Sequence, residues 1–332
     1  MIWGNTLAYP RCLTALKTRN LTVLRFSFIC ATISPTFVRL ETIQMLLIDF
    51  YNVVSAAVHS VHGEDKTPPN LETVRTCAVN ACLYYMQKLK RYSANTVIAF
   101  DGKDNWRSSV FPNYKQQRKK QREKREFDYQ LYYQSLEAVK IELAAVMPCK
   151  CIEVAYAEAD DIISVLARIG AHSESVCIVS GDKDFVHLQA IHTPHPITQF
   201  IPYKDDYIDE ASLALPLELH VVGGDSGDGI PNIFSDDDVF LVEGKRQKLF
   251  TKSKKEEVMA IGLEKYREVI TEEMRVKLDR NRQLIDLTKI PQNISDAILQ
   301  KYIQTKPASG MLMNYLVQHR MSSIIDRFGG QL

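Results

Sequence analysis

Short apolar runs rich in β-branched residues recur along the chain: MLLID from Met45, NTVIAF from Asn95, CIEVAY from Cys151, SVCIVS from Ser175 and ITQFIPY from Ile197. Each is too short for a buried helix and is bounded by polar or glycine residues, so each reads as a strand. Between them the period changes to that of amphipathic helices. One such stretch opens at Tyr51 (YNVVSAAV), and a Pro-containing loop at residues 67–70 leads into another over about 71–90. In the latter, Leu71, Val74, Ala78, Ala81, Cys82, Tyr85 and Leu89 form one stripe. Further helices are predicted over Tyr129–Met147, ended by Pro148, and over Ala159–Arg168, with a short one at FVHLQ from Phe185. Strands alternating with crossover helices predict an α/β fold: a mostly parallel central sheet with helices on both faces.

Beyond Leu213 the strand pattern stops. Helices are predicted for Leu213–Val222, Lys255–Tyr266, Thr271–Leu284 and Ile294–Tyr302, giving a C-terminal helical region from 213 to 332 behind an α/β domain of residues 45–212. Residues 1–44 fit neither part, with five basic residues (Arg11, Lys17, Arg19, Arg25, Arg39) against one acid, Glu41, and no clear period. Such composition resembles an organelle transit peptide. Met45, however, stands directly ahead of LLIDF, where a compact domain would begin, so the stretch reads as an upstream start or a disordered extension.

The acids fall where the pattern changes. Asp49 and Asp101 close the first two strands, Glu158, Asp160 and Asp161 crowd the first turn of one helix, and Asp182 and Asp184 follow the strand ended by Gly181. Acids in a first helical turn complement the helix dipole, and Asp after a strand caps a turn. Five carboxylates at two adjacent crossovers exceed both roles. Held close they repel one another unless a cation intervenes, and all-oxygen sets suit Mg²⁺ or Mn²⁺. In parallel sheets ligands sit beyond the carboxyl ends of the strands, where Asp49, Asp101, Asp160 and Asp182 would converge. Asp225 and Asp228, three apart among Gly223, Gly224, Gly227 and Gly229, form a turn or bring backbone close to a phosphate or metal.

The net charge of +1 hides strong segregation, because seven basic residues and one acid lie between Lys115 and Arg125, just after Trp106, Arg107, Phe111 and Tyr114. A charge run is ordinarily a solvated helix face. Here it follows directly on Asp101 and has aromatics interleaved, as in segments that track phosphates and stack bases, which points to nucleic acid. Seven scattered cysteines with no Cys-x-x-Cys pair suggest reduced thiols of a cytoplasmic protein, neither disulfides nor zinc. His192 and His195 read as loop residues, and no apolar run is long enough to cross a bilayer.

The ordered set LIDFYN, IAFDG, EADD, SGDKDF and GGDSGDGIPNI resembles the structure-specific 5′ nuclease family of flap endonucleases and the 5′-nuclease domains of bacterial DNA polymerases, most like its T-even phage ribonuclease H branch. The likeness runs from Met45 to the C-terminus. It implies a PIN-like 5′-nuclease fold and an Mg²⁺-dependent 5′→3′ exonuclease and flap endonuclease that removes RNA primers and 5′ flaps in DNA replication. By matching motif it implies a first metal ion on Asp49, Asp101, Glu158, Asp160 and Asp182 and a second among Asp161, Asp184, Asp225 and Asp228, with Mn²⁺ able to substitute. Arg107 and Lys115 would face the scissile phosphate. A helical arch at about 103–126 would contact single-stranded DNA through Tyr114, Arg118, Lys119, Lys120, Arg122, Lys124 and Arg125. The implied partners are DNA with 5′ flaps or ends and RNA–DNA hybrid, beside a single-stranded-DNA-binding protein and a sliding clamp. The implied state is a monomer in the cytoplasm, that of the host if the chain is phage-encoded.

One departure stands out: where the family has a glycine-rich GVPGIG segment that grips duplex DNA through K⁺, this chain has IPNIFSDDDVFLVEG, with Asp236, Asp237 and Asp238. Three other functions compete. A haloacid-dehalogenase-type phosphatase needs Asp-x-Asp at the first strand, and Phe50 and Tyr51 follow Asp49. A PIN-type ribonuclease explains the acidic sheet end but not the basic run or the helical C-terminal part. A flap-binding factor without cleavage would not need every one of these acids intact.

Overall fold

The computed structural model describes residues 44–62, 69–89, 95–123, 127–208 and 215–331. The expectation for residues 1–44 therefore lies outside the described residues for all but the last of them, as do Lys124, Arg125 and the expected domain boundary at 212–213. The chain runs β1 (Met45–Asp49), α1 (Phe50–His62), α2 (Leu71–Lys88), β2 (Asn95–Phe100), α3 (Arg107–Val110), α4 (Gln116–Glu123), α5 (Tyr129–Val146), β3 (Lys150–Glu153), α6 (Ala159–Gly170) and β4 (Val176–Val179). It continues through α7 (Val186–Gln189), β5 (Ile197–Ile201), β6 (Asp206–Ile208), α8 (Leu217–Gly223), α9 (Lys252–Val269, broken at Gly262), α10 (Glu272–Ile285), α11 (Gln292–Gln304), α12 (Leu312–Gln318) and α13 (Ser322–Phe328).

The sheet order is β3-β2-β1-β4-β5-β6, parallel except for the terminal β5–β6 pair. Alternation along the strands explains the two-sided cover. Leu46, Ile48, Ile98, Phe100, Cys177 and Val179 enter one core with α1, α2 and α5, whereas Met45, Leu47, Val97, Ala99, Val176 and Ile178 enter the other with α6. From β1 the chain travels outward to β2 and β3, then returns to place β4 on β1's other side. The crevice beyond the carboxyl ends of β1 and β4 is thus the topological switch point.

The C-terminal helices are predicted correctly as helices, but they do not form a body apart. Only α8, α9 and α10 build a third core, with Val221, Val222, Val258, Tyr266, Leu278 and Leu284, into which Phe111 and Tyr114 insert. Ile294 and Ile298 of α11 join the α6 side of the sheet, while Leu312, Leu316, Ile324 and Phe328 of α12 and α13 complete the α1–α2–α5 side.

Candidate active site

The switch-point crevice is a cleft of about 840 Å³ lined by Asp49, Asp101, Glu158, Asp160, Asp182, Asp184, Asp225 and Asp228, with Lys115 and Arg118 among the cations facing them. Each acid is delivered by a local device. Asp49 ends β1 and accepts from Asn52 N (3.1 Å) at the start of α1 and from Ser180 Oγ (2.8 Å) beyond β4. Asp101, just past β2, accepts Ala159 N (2.8 Å) at the start of α6, whose N-cap is Glu158. Asp182 accepts Asp184 N (3.0 Å) and so fixes the turn that presents both. Asp225 accepts Gly227 N (2.7 Å) within its loop, which closes through Ile230 N to Asp225 O (2.7 Å).

Burial sets the electrostatics. Desolvation, then repulsion from Asp101 and Asp182, pushes Asp49 up to about 7 against its bonds from Asn52 and Ser180. Burial followed by the charges of Asp182 and Asp225 pushes Asp184 up to about 8. Asp101, Asp160 and Asp225 are raised by burial too. Glu158 goes the other way: burial would raise it, but Lys115 and Arg107 outweigh that and hold it below the usual carboxylate range. Lys115 and Arg118 meet the set only at the Glu158–Asp228 side, so Asp49, Asp160 and Asp184, raised by burial and by one another, would ionise together readily only beside an external cation. Among the described residues no three His, Cys, Asp or Glu side chains close on one point as a finished cage. Hard oxygen donors spread around an open cleft suit Mg²⁺ or Mn²⁺, which keep waters and take up substrate oxygens.

Three expected assignments change. Asp161 is fully buried and spends both oxygens inside, on Arg107 Nη2 (2.8 Å), Arg107 Nη1 (3.0 Å), Trp106 Nε1 (3.0 Å) and Glu158 N (2.9 Å), so it is not turned to the cleft as a metal ligand. Arg107 is likewise buried, its remaining donors taken by Leu284 O (3.1 Å) and Glu158 Oε2 (3.0 Å), and does not face a phosphate. A sealed carboxylate needs a bidentate counter-ion, and Arg107 is that partner. Together they form the pedestal under Glu158. Tyr114, expected at DNA, is buried, with its hydroxyl 2.9 Å from Glu158 Oε2 and 2.8 Å from Asp228 Oδ2, one proton between two carboxylates.

Lys115 lines the cleft, its Nζ 2.6 Å from Glu158 and 3.7 Å from Asp228. Its backbone is left-handed (φ 56°), an unusual state for a lysine that turns the side chain inward. Arg118 pairs with Asp228, Lys120 donates to Leu241 O (3.0 Å), Arg122 lies over the rings of Tyr129 and Tyr133, and Lys119 is exposed. The Asp236–Asp238 run is paired with the chain's own cations, Lys245 with Asp236 and Asp238 and Arg280 with Asp237. Sequence reasoning missed His220, whose Nδ1 is 3.7 Å from Asp184 and Nε2 4.0 Å from Asp225, along with Ser180, Asn52 and Gln117. The only signal for His220 was its place on the short helix leading into the Asp225 loop.

Residues 44–213 match the family model of the 5′-3′ exonuclease N-terminal resolvase-like domain, and residues 212–329 match that of the T4 RNase H C-terminal region. The chain belongs to the 5′-3′ exonuclease family. Within that family it is 28% identical over 289 residues to the ribonuclease H of Enterobacteria phage T4, spanning 84% of this chain and 93% of that protein. It is 30% identical over 201 residues to the flap endonuclease Xni of a Shewanella species, spanning 57% of this chain and 69% of that one. Among solved structures, the bacteriophage T5 flap endonuclease in a complex with DNA and metal ions shares the fold at a TM-score of 0.57 and 16% identity, spanning 79% of this chain and 98% of that one. As an exonuclease-family member the chain is a nuclease with a PIN-like fold. The family models meet at residues 212–213, and the packing of α11 to α13 crosses that line.

Proposed function

We propose that this exonuclease-family chain is an Mg²⁺-dependent 5′→3′ exonuclease and flap endonuclease that removes RNA primers and 5′ flaps during DNA replication, using two metal ions. The observation that carries the reading is the convergence of eight carboxylates at the sheet's switch point opposite Lys115 and Arg118. Asp49, Asp101, Asp160 and Asp182 would hold one ion with Glu158, and Asp184, Asp225 and Asp228 the other. When bound, such ions activate water and stabilise the leaving oxygen of an in-line displacement.

The chain's own residues do the rest. Lys115 and Arg118 bring fixed positive charge to the phosphate, preorganised by Glu158, Asp228 and Gly227 O. The Arg107–Asp161 pedestal keeps Glu158 in place, and α4 presents its cations to a 5′ single strand. The substrate is DNA with a 5′ flap or end, or an RNA–DNA hybrid, handled by a cytoplasmic monomer beside a single-stranded-DNA-binding protein and a sliding clamp. A PIN-type ribonuclease is disfavoured because the 225–229 loop, beyond the α/β domain, supplies Asp225 and Asp228 to the acid set. A non-catalytic flap binder is disfavoured because every expected acid is present.

The test is release of label from a 5′-flap duplex with Mg²⁺, with EDTA as control. Asp160→Asn and Asp182→Asn should abolish release yet bind the flap within a few-fold of wild type. Near-normal turnover in either variant would remove the metal assignment.

A further inference from the structure

We propose that Gln117 is a positioning residue for the Asp225/Asp228 half of the carboxylate site: its amide fastens the loop that carries both acids to helix α4. The inference rests on the reading of Asp225 and Asp228 as metal ligands. Residues 114–118 hold residues 225–229 by two kinds of contact. One kind ends on the Asp228 carboxylate, from the Tyr114 hydroxyl, Lys115 and Arg118. Those contacts occupy the same carboxylate lone pairs that a divalent ion would take, so they must be redistributed when an ion or a phosphate enters. The other kind ends on backbone carbonyls and does not compete. Gln117 Nε2 donates to Ser226 O (3.0 Å) and Gly227 O (2.9 Å), Arg118 Nε to Gly227 O (2.8 Å) and Lys115 N to Asp228 O (2.7 Å).

Of these donors Gln117 alone is a neutral side chain, and it is 6% exposed. Both its N–H groups serve consecutive carbonyls between the two acids, while its Oε1 is buried without a hydrogen-bond partner. A buried orphan acceptor costs free energy, so the side chain is held there by what its donors do. The fit is reciprocal. The amide lies against Gly229, where an added Cβ would come within 2.2 Å of Oε1, and Gly229 itself has φ 75°. The last glycine of GDSGDG is therefore the seat of the Gln117 amide as well as a turn residue. Through this lock a movement of α4 is a movement of Asp225 and Asp228.

The experiment is calorimetric titration of the full chain with Mn²⁺ in the absence of nucleic acid, comparing wild type, Gln117→Met, Gly229→Ala, the double variant and Asp228→Asn as the reference for loss of the loop's ion. Methionine keeps the packing and removes both donors. Gln117→Met should weaken one class of Mn²⁺ by about 10- to 100-fold, as loss of a group supporting a ligand does, and leave the other class unchanged. In the flap assay the Mn²⁺ concentration for half-maximal rate should rise while kcat at saturating Mn²⁺ recovers. Gly229→Ala should do the same by displacing the amide, and the double variant should be no worse than either single one. Unchanged affinity for both ions in Gln117→Met overturns the lock, as does equal weakening of both, which is loss of fold. If Asp228→Asn costs wild type no ion, the metal reading of the loop fails and the lock with it.

Discussion

Two cations eight residues apart, Arg107 and Lys115, look alike in sequence and have opposite roles in the fold. Arg107 neutralises the sealed Asp161, so Arg107→Ala strands a buried charge and should cost about 3–5 kcal/mol of stability, seen as a large drop in the urea midpoint. Lys115 is at the cleft and partly exposed. Lys115→Ala should fold nearly normally and lose about 10²-fold or more in cleavage rate, the loss of one preorganised contact to developing charge. The reverse pattern, a stable but inactive Arg107 variant and an unstable Lys115 one, would exchange their assignments. The acids carry a pH signature. Asp49 and Asp184 ordinarily titrate near 3.8 but are pushed up to about 7 and about 8, so the folded metal-free chain holds protons that the unfolded chain has released. Their contribution to stability must therefore fall as pH rises from about 4 to 8. In EDTA the difference in unfolding free energy between Asp49→Asn and wild type, from urea titrations, should move in favour of the variant as pH rises, by on the order of a few kcal/mol at most. Saturating Mg²⁺ should erase it, and a difference flat from pH 5 to 8 would contradict the raised value.

Among the elements, the segment from Ile233 to Gly244 departs most from the family pattern, and its packing explains how it is tolerated. Its three aspartates are tied to Lys245 and Arg280, which engages those cations with the segment itself. Duplex affinity then has to come from lysines and arginines elsewhere, chiefly along α4 and at Lys248 to Lys255. Binding should be steeply salt-dependent, with log K falling by about 0.9 per phosphate neutralised, and K⁺ should give no advantage over Na⁺. Paired titrations of flap binding in KCl and NaCl, with Ca²⁺ in place of Mg²⁺, decide it: clearly tighter binding in K⁺ would mean that the segment still forms an ion-mediated grip.

At the scale of the whole molecule the last two helices matter for the first domain. Leu312, Leu316, Ile324 and Phe328 are nearly fully buried against α1, α2 and α5. Each such side chain stabilises by roughly 1.5–3 kcal/mol, and the sum is comparable with the whole net stability of a typical domain, about 5–15 kcal/mol. A fragment of residues 44–213, although it matches one family model by itself, should be insoluble or unfold at far lower urea than the full chain. Equal urea midpoints would show that α12 and α13 merely rest on the domain.

Periodicity along the chain determined the parallel sheet, its crossover helices, the C-terminal helices and the strand-end acids, because period and turn residues are local properties that tertiary packing here reinforces. It also located the basic run and the loop with Asp225 and Asp228. What it did not reach was which way each charged side chain points. Asp160 and Asp161 are neighbours at the start of α6, yet one turn of about 100° per residue puts Asp160 at the cleft and Asp161 against Trp106 and Arg107. Likewise the left-handed turn at residue 115 leaves the Lys115 ammonium over the Tyr114 ring, so that both neighbours reach Glu158 and Asp228, His220 meets Asp184 from another element, and Gln117 and the return of α12 and α13 depend on contacts between residues more than 100 apart in the chain. Those contacts exist only once the sheet, α4 and the C-terminal helices have come together, since burial and counter-charge, which decide the fate of an acid or a base, are properties of the assembled surroundings.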